Sequence, residues 1–258
     1  MSERKNEKEV GGEIVVNNKL VAWLDNFWYH YKWHVIVIAF FAIVFIVCFV
    51  QCTQKREVDV PVVFAGAYVE RDEEDYRWTE EKREAIEKIL GSLYKKSTSG
   101  ERSIGFLTYD VMDEEQMRDK ATEKPKNETE TGEFSISYYN SLKQNNLSEI
   151  DRFSSYLQTG ACSVWFVSEF LYEAKGMDKL AMPLESVFGE NIPKSAHDAY
   201  AIRLGDTELY RYYDAFHAMP EDTLIVLTRG TVMGASSDDR VYSDYLALYR
   251  AIVEFKTP

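Results

Sequence analysis

The chain has 258 residues, of which 45% are apolar and 28% charged, enough for one ordinary domain with appendages or for two small domains. With only thirteen Gly and six Pro, this composition excludes a wholly disordered, collagen-like or low-complexity chain. The net charge of −13 lies beyond residue 52, where 25 basic residues face 38 acidic ones, and an acidic domain argues against nucleic acid as a partner.

The N-terminal 33 residues combine a polar tail with an amphipathic segment. Residues 1–17 are predicted to form the tail, and residues 18–33 an interfacial helix with Asn17 or Asn18 as its N-cap. Apolar residues recur there at spacings of three and four: Leu20, Val21, Trp23, Leu24, Phe27, Trp28 and Tyr31. The Trp and Tyr side chains suit the headgroup region of a bilayer, which accommodates both an apolar ring and a polar tip.

An uncharged stretch follows and predicts a transmembrane helix over residues 34–52. Val35 to Val50 contains no polar side chain, and 22 residues without a formal charge separate Lys32 from Lys55. At 1.5 Å per residue these 22 form a helix of roughly 33 Å, which matches a hydrocarbon core of about 30 Å. In lipid a single segment satisfies its own backbone groups only as a helix.

Three other interpretations of this stretch fit less well. A cleavable signal peptide has a shorter charged region and a small-x-small cleavage site, which Val50 to Thr53 does not offer. A lipoprotein needs a small residue before its Cys, whereas Gln51 precedes Cys52. Val47 likewise precedes Cys48. A buried core helix would be shorter and would show a polar face.

Membrane orientation is predicted from the size of the domain that follows the span. The basic residues near the two ends of the span do not choose a direction. A long domain behind a lone N-terminal anchor is translocated whatever its charge. We therefore expect a plasma-membrane protein with a cytoplasmic N-terminus and with residues 58–258 outside the cytoplasm.

Residues 58–258 are expected to form one soluble α/β domain. Strands are predicted at Asp59–Tyr68, Ile104–Tyr109, Ala161–Val167, Ala199–Leu204 and Thr223–Leu227. Helices are predicted at Thr79–Tyr94, Ser148–Leu157, Ser168–Ala174, Glu208–Phe216 and Val241–Phe255. Strands separated by helices imply a three-layer domain with a mostly parallel sheet that is covered on both faces.

One segment of the domain is strongly charged. Met112 to Glu133 holds twelve charged residues in twenty-two, and its only large apolar side chains are Met112 and Met117. We interpret it as a mobile, solvated insertion that contributes nothing to the core. The alternative is a lid, because the segment follows the carboxyl end of the second strand, where open α/β sheets usually hold ligands.

The stretch from Ser148 through Thr207 contains the fragments LQTGACSVWFVSEFLYE, KLAMPLESVFGE and AYAIRLGDT. In this order it resembles one lobe of a type 2 extracellular solute-binding protein, in which a helix and a Gly lead into a strand, a short helix, a Pro-Leu turn and a further strand. The tether with its domain is also similar to uncharacterised single-pass membrane proteins of Gram-positive bacteria. The resemblance implies the fold of one lobe and supplies no fixed catalytic or ligand residue.

The resemblance stops at one lobe. A two-lobed binding protein inserts its second lobe between such elements, but only about thirty residues separate the strand at 161–167 from the strand at 199–204. A cleft that closes on a solute therefore does not fit within one chain. Ligand capture would need one face of the domain, a partner, or a second copy of the chain.

Patterns that carry enzymatic or metal chemistry are missing from the sequence. The domain has two His, His197 and His217, neither paired with another ligand at metal-binding spacing, and the acidic run 70–75 lacks the form of a calcium loop. Residues 230–237 lack the Lys of a phosphate-binding loop, and no GxSxG elbow occurs. Cys162 reads as a small buried hydrophobe. We expect no cofactor, no metal and no catalysis.

Candidate binding residues lie where the predicted strands end. They are Tyr68, Tyr109, Asp110, Ser168, Asp206 and Arg229. Turns and helix caps use the same residue types, so a structural role is the alternative for each. The expected partners are the lipid bilayer, another membrane protein, a small polar ligand or a peptide, and the chain is a candidate homo-oligomer. We predict a membrane-tethered extracytoplasmic binding or interaction module; the alternatives are a structural accessory subunit of a membrane complex and, third, a hydrolase or transferase.

Overall fold

The structure of the protein is a computed structural model that describes residues 19–53, 58–67, 69, 80–97, 103–122, 134–229 and 239–257. The predicted polar tail lies outside these residues. The chain divides into two compact units, Met1–Arg56 and Glu57–Pro258.

The first unit is built on one long helix, α1, over Lys19–Thr53. Residues 19–33 of the predicted interfacial segment and the predicted transmembrane segment 34–52 belong to the same uninterrupted helix; residue 18 lies outside the described residues. The most apolar 18-residue window within the α1 span Asn26–Phe49 has a mean hydropathy of 2.5, and none of that window is buried. The helix is thus long and apolar enough to cross a bilayer, because 24 residues extend about 36 Å along a helix axis.

The second unit contains a five-stranded sheet. Its strands are β1 (Val60–Gly66), β2 (Ile104–Asp110), β3 (Val164–Val167), β4 (Ala201–Arg203) and β5 (Leu224–Leu227). They lie in the order β2-β1-β3-β5-β4. β2, β1 and β3 pair in parallel, whereas β5 runs antiparallel to both β3 and β4. The predicted combination of helices with one sheet is confirmed, but two of the four strand pairings are parallel and two are antiparallel, so the sheet is mixed rather than mostly parallel.

Seven helices of the second unit are described. They are α2 (Glu80–Ser97), α3 (Glu114–Thr122), α4 (Ile136–Thr159), α5 (Glu169–Ala174), α6 (Leu184–Phe188), α7 (Glu208–Tyr212) and α8 (Asp239–Val253). Short 3₁₀ turns at Met177–Lys179, Leu204–Asp206 and Asp214–Ala218 complete the connections.

Both faces of the sheet are covered because successive strand residues point to opposite sides. On one face, side chains such as Phe64 and Phe166 pack with Ile86 of α2 and Tyr249 of α8. The opposite face carries Trp165 among side chains from α4 and α5. The central strands β3 and β5 are buried throughout, which explains their continuous apolar runs in the sequence.

The prediction that the charged segment Met112 to Glu133 contributes nothing to the core is wrong for the first part of the segment. Residues 114–122 form α3, and Met112, Met117 and Ala121 are buried in a small cluster or beside it. A helix with one narrow apolar face contributes to a core despite its many charges, because the charges occupy the remaining faces. Residues 123–133 lie outside the described part of the chain.

The start of α4 also differs from the prediction, which placed a capped helix at Ser148. The N-cap is Ser135, whose side chain accepts a hydrogen bond from the backbone N–H of Tyr138, and Ser148 lies within the helix. The helix ends at Gly160, which has φ +62° and donates its N–H to Leu157. A left-handed residue at this position favours Gly, so the QTG sequence marks the C-terminus of α4.

Candidate functional site

The predicted binding residues lie in a row rather than around one centre. Tyr109 and Asp110 end β2, Ser168 follows β3, and Asp206 lies just after β4. β2 and β4 form opposite edges of the sheet, four strand intervals apart, which corresponds to roughly 19 Å at about 4.8 Å per interval. Tyr68 lies outside the described residues. Asp110 and Asp206 therefore do not share a small-ligand pocket.

Arg229 lies at the other end of the sheet. β5 is antiparallel to β3, and Leu227 near its carboxyl end pairs with Val164 at the amino end of β3. Arg229 follows Leu227 and donates its backbone N–H to Leu180. The candidate residues were chosen as strand ends of a mostly parallel sheet, and the reversal of β5 separates Arg229 from Asp110, Ser168 and Asp206.

Ser168 has a structural role. Its side chain accepts the backbone N–H of Leu171 and caps α5, and its own N–H donates to the carbonyl of Ala65. Asp206 is exposed in the turn after β4. Neither residue offers an unoccupied group directed into a cavity, so the cap and turn interpretation holds for Ser168 and is sufficient for Asp206.

Asp110 is the candidate with an unusual electrostatic environment. Its Oδ1 is buried and has no hydrogen-bond partner among the described residues. Burial raises the pKa of this carboxyl group, with nearby Glu149 adding to the rise and Lys120 opposing it. Burying a carboxylate without a hydrogen-bond partner lowers the stability of the folded protein, and this one lies at the carboxyl end of an edge strand.

Sequence reasoning missed a polar cluster between α5 and β4. The Arg203 Nη2 atom lies 2.9 Å from His197 Nδ1, and His197 Nε2 lies 3.7 Å from a carboxylate oxygen of Glu169. Arg203 is also 3.8 Å from Glu169. Because guanidinium can only donate, His197 Nδ1 is the acceptor and its proton sits on Nε2, toward Glu169. The contact of Nδ1 with Arg203 is a hydrogen bond, whereas the distance from Nε2 to Glu169 exceeds that of a hydrogen bond.

A second polar group lies beside this cluster and closes the turn before β4. Asp198 accepts the hydroxyl of Tyr172 at 2.7 Å and the backbone N–H groups of Tyr200 and Ala201 at 2.7 and 2.8 Å. Burial and the bond to Asp198 raise the pKa of Tyr172. The carboxylate holds a loop in place. No sequence signal marks these contacts, because the partners lie 26 residues apart.

An open groove runs along α4 beside the end of β2. It has a volume of about 830 Å³, and nine residues line it: Tyr109, Gln144, Leu147, Ser148, Asp151, Arg152, Ser155, Tyr156 and Thr159. Of the predicted site residues that the structure describes, Tyr109 belongs to this lining. We call this the α4 groove.

Aromatic rings form the floor of the α4 groove. The Tyr109 ring lies 5.9 Å from Phe153 and 6.3 Å from Tyr156, and Tyr156 lies 6.1 Å from Trp165. Burial is the main cause that raises the pKa of Tyr156, so its hydroxyl stays protonated at neutral pH. These rings are fixed by the core below them, which gives the groove a preformed apolar base.

The rim of the α4 groove is polar. Arg152 lies over the Tyr109 ring, 5.7 Å from its centroid, and pairs with Glu149 at 2.5 Å. Hydroxyl groups of Ser148 and Ser155 and the carboxylate of Asp151 complete the rim. An aromatic floor with hydroxyls and both signs of charge around it suits a ligand that has apolar and polar groups.

Neither a metal centre nor an activated nucleophile emerges from the described residues. No group of three or more His, Cys, Asp or Glu side chains in the described ranges is placed to hold an ion. Cys162 is buried, its thiol contacts the carbonyls of Pro61 and Val164, and burial raises its pKa far above neutrality. This thiol behaves as a small core side chain, as the sequence indicates.

Comparisons with known proteins give no relative from which a role could be transferred. No protein-family model matches the chain, and neither does any curated protein or solved structure. The α4 groove is therefore assigned as the candidate site on its own geometry.

Proposed function

We propose that the protein is a membrane-tethered, extracytoplasmic interaction module that binds a peptide segment through the α4 groove and has no catalysis of its own. The α4 groove is the observation that carries this proposal. From Gln144 to Thr159 it follows sixteen residues of helix, whose fifteen steps of 1.5 Å span about 22 Å. An extended chain covers this distance in about seven residues, at 3.3 Å each.

The chemistry of the groove also favours a peptide. Tyr109 and Tyr156 provide an apolar floor for one or two side chains, and Ser148 and Ser155 provide hydroxyls for the polar backbone between them. Leu147 is 49% exposed on the same rim. A small solute would contact only part of this length, whereas an extended segment would contact all of it.

The tether places this groove near a membrane. α1 supplies the anchor, and the large domain behind a lone anchor supports an extracytoplasmic location for residues 58–258. The sequence fragments that resemble one lobe of a solute-binding protein favour a ligand held between this domain and a second surface. In this proposal a partner protein supplies that second surface.

A peptide selection against the full-length protein in lipid nanodiscs tests the proposal. Display libraries of ten-residue peptides are selected on the wild-type protein, and the dissociation constants of enriched peptides are then measured for Leu147→Arg. We expect at least a tenfold loss of affinity, because the long charged side chain occupies the groove and places charge over its apolar floor.

Leu180→Arg is the matched control. Leu180 is 41% exposed and does not line the groove, so this substitution adds the same charge to a similarly exposed leucine elsewhere. Peptide affinity should stay within twofold of wild type. Peptides that bind both variants equally, or a selection that enriches none, would refute the groove as a binding site.

A second candidate function is a structural accessory subunit of a membrane complex. The exposed aromatic side chains along α1 favour it: Trp23, Trp28, Tyr29, Tyr31 and Trp33 are each more than half exposed. Replacing residues 18–52 by an unrelated anchor separates the two candidates. Peptide binding should survive this replacement, whereas a role as accessory subunit would be lost. Turnover of a substrate by the intact protein would instead favour the third candidate, a hydrolase or transferase.

A further inference from the structure

One face of α1 carries side chains at alternating spacings of four and three residues. They are Trp23, Phe27, His30, His34, Val37, Phe41, Val44 and Cys48, and all are exposed. We call this row the seam. Such spacing keeps a row of side chains on one side of a helix over many turns, and two helices pack along rows of this kind. The described side chains on every side of α1 are at least partly exposed, so this row is distinguished from the others by carrying both His30 and His34.

The seam is also shaped for packing. Trp33, His34, Val37 and Ile38, on two successive turns, surround a hollow of about 260 Å³. Trp23, Phe27 and Tyr31 stack along the same side, with ring centroids 5.6 and 5.2 Å apart. Ridges and hollows of this kind interlock with those of a neighbouring helix.

The length of α1 leaves part of the seam without a suitable environment in lipid alone. Its 35 residues extend about 52 Å, more than the 40–45 Å of a whole bilayer. If residues 34–53 fill the hydrocarbon core, Trp23 lies about 16 Å beyond its boundary, outside the headgroup layer.

Tilting the helix does not remove this problem. A tilt of about 34° would bring all of Asn26–Phe49 into the hydrocarbon core, within the range that transmembrane helices adopt. His30 and His34 would then lie in lipid without hydrogen-bond partners. Polar side chains inside a membrane are costly and usually face another helix. A second helix on the seam covers Trp23 in the upright placement and gives both imidazoles a partner in the tilted one, where Lys32, on the opposite side, still has to extend its charge to the headgroup layer.

We propose that the seam pairs with the seam of a second copy of this chain, forming a parallel two-helix contact in the membrane. The inference rests on the membrane-anchor part of the proposed function and is independent of the α4 groove. In a parallel pair with twofold symmetry, His30 faces His30 and His34 faces His34 at the same depth. A neutral imidazole has one donor and one acceptor, so each His can bond to its own counterpart.

The remaining polar groups agree with this pairing. Lys32 lies about 160° around the helix from His30, at 100° per residue, so its charge points away from the partner. A partner helix with an apolar face would cover the aromatic rings but leave both imidazoles unpaired. A second copy satisfies both, since it brings the same groups in the same order.

Cysteine cross-linking of the full-length protein in phospholipid vesicles tests the pairing. In a Cys52→Ser background, Cys48 is the thiol on the seam, and oxidation with a lipid-soluble oxidant should convert most of the protein into a disulfide-linked dimer. The control combines Cys48→Ser with Ile46→Cys, which moves the thiol about 160° around the helix at nearly the same depth. The control should stay monomeric, and equal cross-linking of both, or of neither, overturns the proposal.

A double substitution tests the histidines separately. His30→Leu with His34→Leu should weaken dimerisation about ninefold, because it removes two interhelical hydrogen bonds and each such bond in lipid strengthens association roughly threefold. Dimer fractions are counted by single-molecule photobleaching at decreasing protein-to-lipid ratios. Ile36→Leu with Ile43→Leu, on the opposite side of the helix, should leave the fraction unchanged. An unchanged fraction in the histidine variant would exclude the imidazoles from the contact.

Alkaline carbonate extraction distinguishes failure of the pairing from failure of the anchor. If the protein is washed off the vesicles, the membrane anchor is wrong and the seam has no bilayer in which to pair. If it stays in the vesicles but is monomeric, or pairs with a different membrane protein instead, the anchor stands and the self-pairing is wrong.

Discussion

The side chain of Asn146 takes the place of a neighbouring strand for the backbone of Met112. Its Oδ1 accepts the N–H of Met112 at 2.8 Å, and its Nδ2 donates to the carbonyl of the same residue at 2.9 Å. Met112 follows the end of β2, the edge strand, and Asn146 is only 5% exposed on α4. One amide thus satisfies both polar groups of a buried backbone unit where strand pairing has ended.

Asn146→Ala should lower the free energy of unfolding by about 2–3 kcal/mol. The substitution leaves a buried N–H and a buried carbonyl without partners, and each such group costs about 1–3 kcal/mol. Urea unfolding of the full-length protein in detergent micelles, followed by near-ultraviolet circular dichroism, measures the change. Amide hydrogen exchange at Met112 should accelerate in the same variant.

Asn145→Ala is the matched control, because Asn145 is the neighbouring residue of α4 and is exposed. It should change the free energy of unfolding by less than about 0.5 kcal/mol. Equal losses in the two variants would show that the bond to Met112 does not determine the effect, since Ala is itself the better helix former at both positions.

Glu87 covers the same edge strand, β2, nearer the start of that strand. A carboxylate oxygen of Glu87, on α2, accepts the backbone N–H of Phe106 at 2.9 Å. Unpaired N–H groups on an edge strand are the groups through which sheets of different molecules join. Glu87→Ala should therefore cost about 1 kcal/mol and increase the rate of aggregation near the unfolding midpoint, measured by light scattering.

Two further variants distinguish loss of the hydrogen bond to the edge strand from loss of negative charge. Glu87→Gln keeps an acceptor oxygen and should preserve most of the stability and solubility. Glu84→Ala removes a carboxylate from the same helix, where Glu84 pairs with exposed Lys88 at 3.8 Å, and should have little effect. If Glu84→Ala and Glu87→Ala aggregate alike, the loss of negative charge explains the result and the edge does not.

The elements of the domain were largely predictable because the signals for buried strands are local. β3 and β5 are short apolar runs, and Gly160 marks the end of α4. The direction of β5 was not predictable, because a buried strand has the same pattern whether it runs parallel or antiparallel. Arg229 was therefore assigned to the wrong end of the sheet.

The candidate site was predictable only through Tyr109, which ends an apolar strand. The other lining residues of the α4 groove lie on the outer side of a polar helix, and nothing in their spacing distinguishes them from an ordinary solvated face. Asn146 and Glu87 were equally hidden, because each acts on a backbone group 34 or 19 residues away. α3 was missed because its buried face consists of Met117 and Ala121 alone.

Asp110→Asn should stabilise the protein at neutral pH. Burial raises the pKa of Asp110 in the folded state, so between its unfolded-state and folded-state pKa values the native protein binds more protons. Stability from this group therefore falls as pH rises through that window, and the loss is complete above it. The neutral amide avoids this loss, and we expect a gain of about 1 kcal/mol at pH 7, the lower end of the cost of a buried unpartnered polar group.

The pH dependence of this gain distinguishes it from a general effect. Well below the ordinary aspartate pKa of 3.8, Asp110 is protonated in both the folded and the unfolded chain. Wild type and variant are then both uncharged at this position, and their free energies of unfolding should be the same. Asp119→Asn, at an exposed position on α3, should give no gain at either pH. Urea unfolding at pH 7 and near pH 2.5, more than one pH unit below 3.8, measures both. A gain that persists at the lower pH, or a loss at pH 7, would mean that the Asp110 carboxylate has a partner that stabilises its charged form.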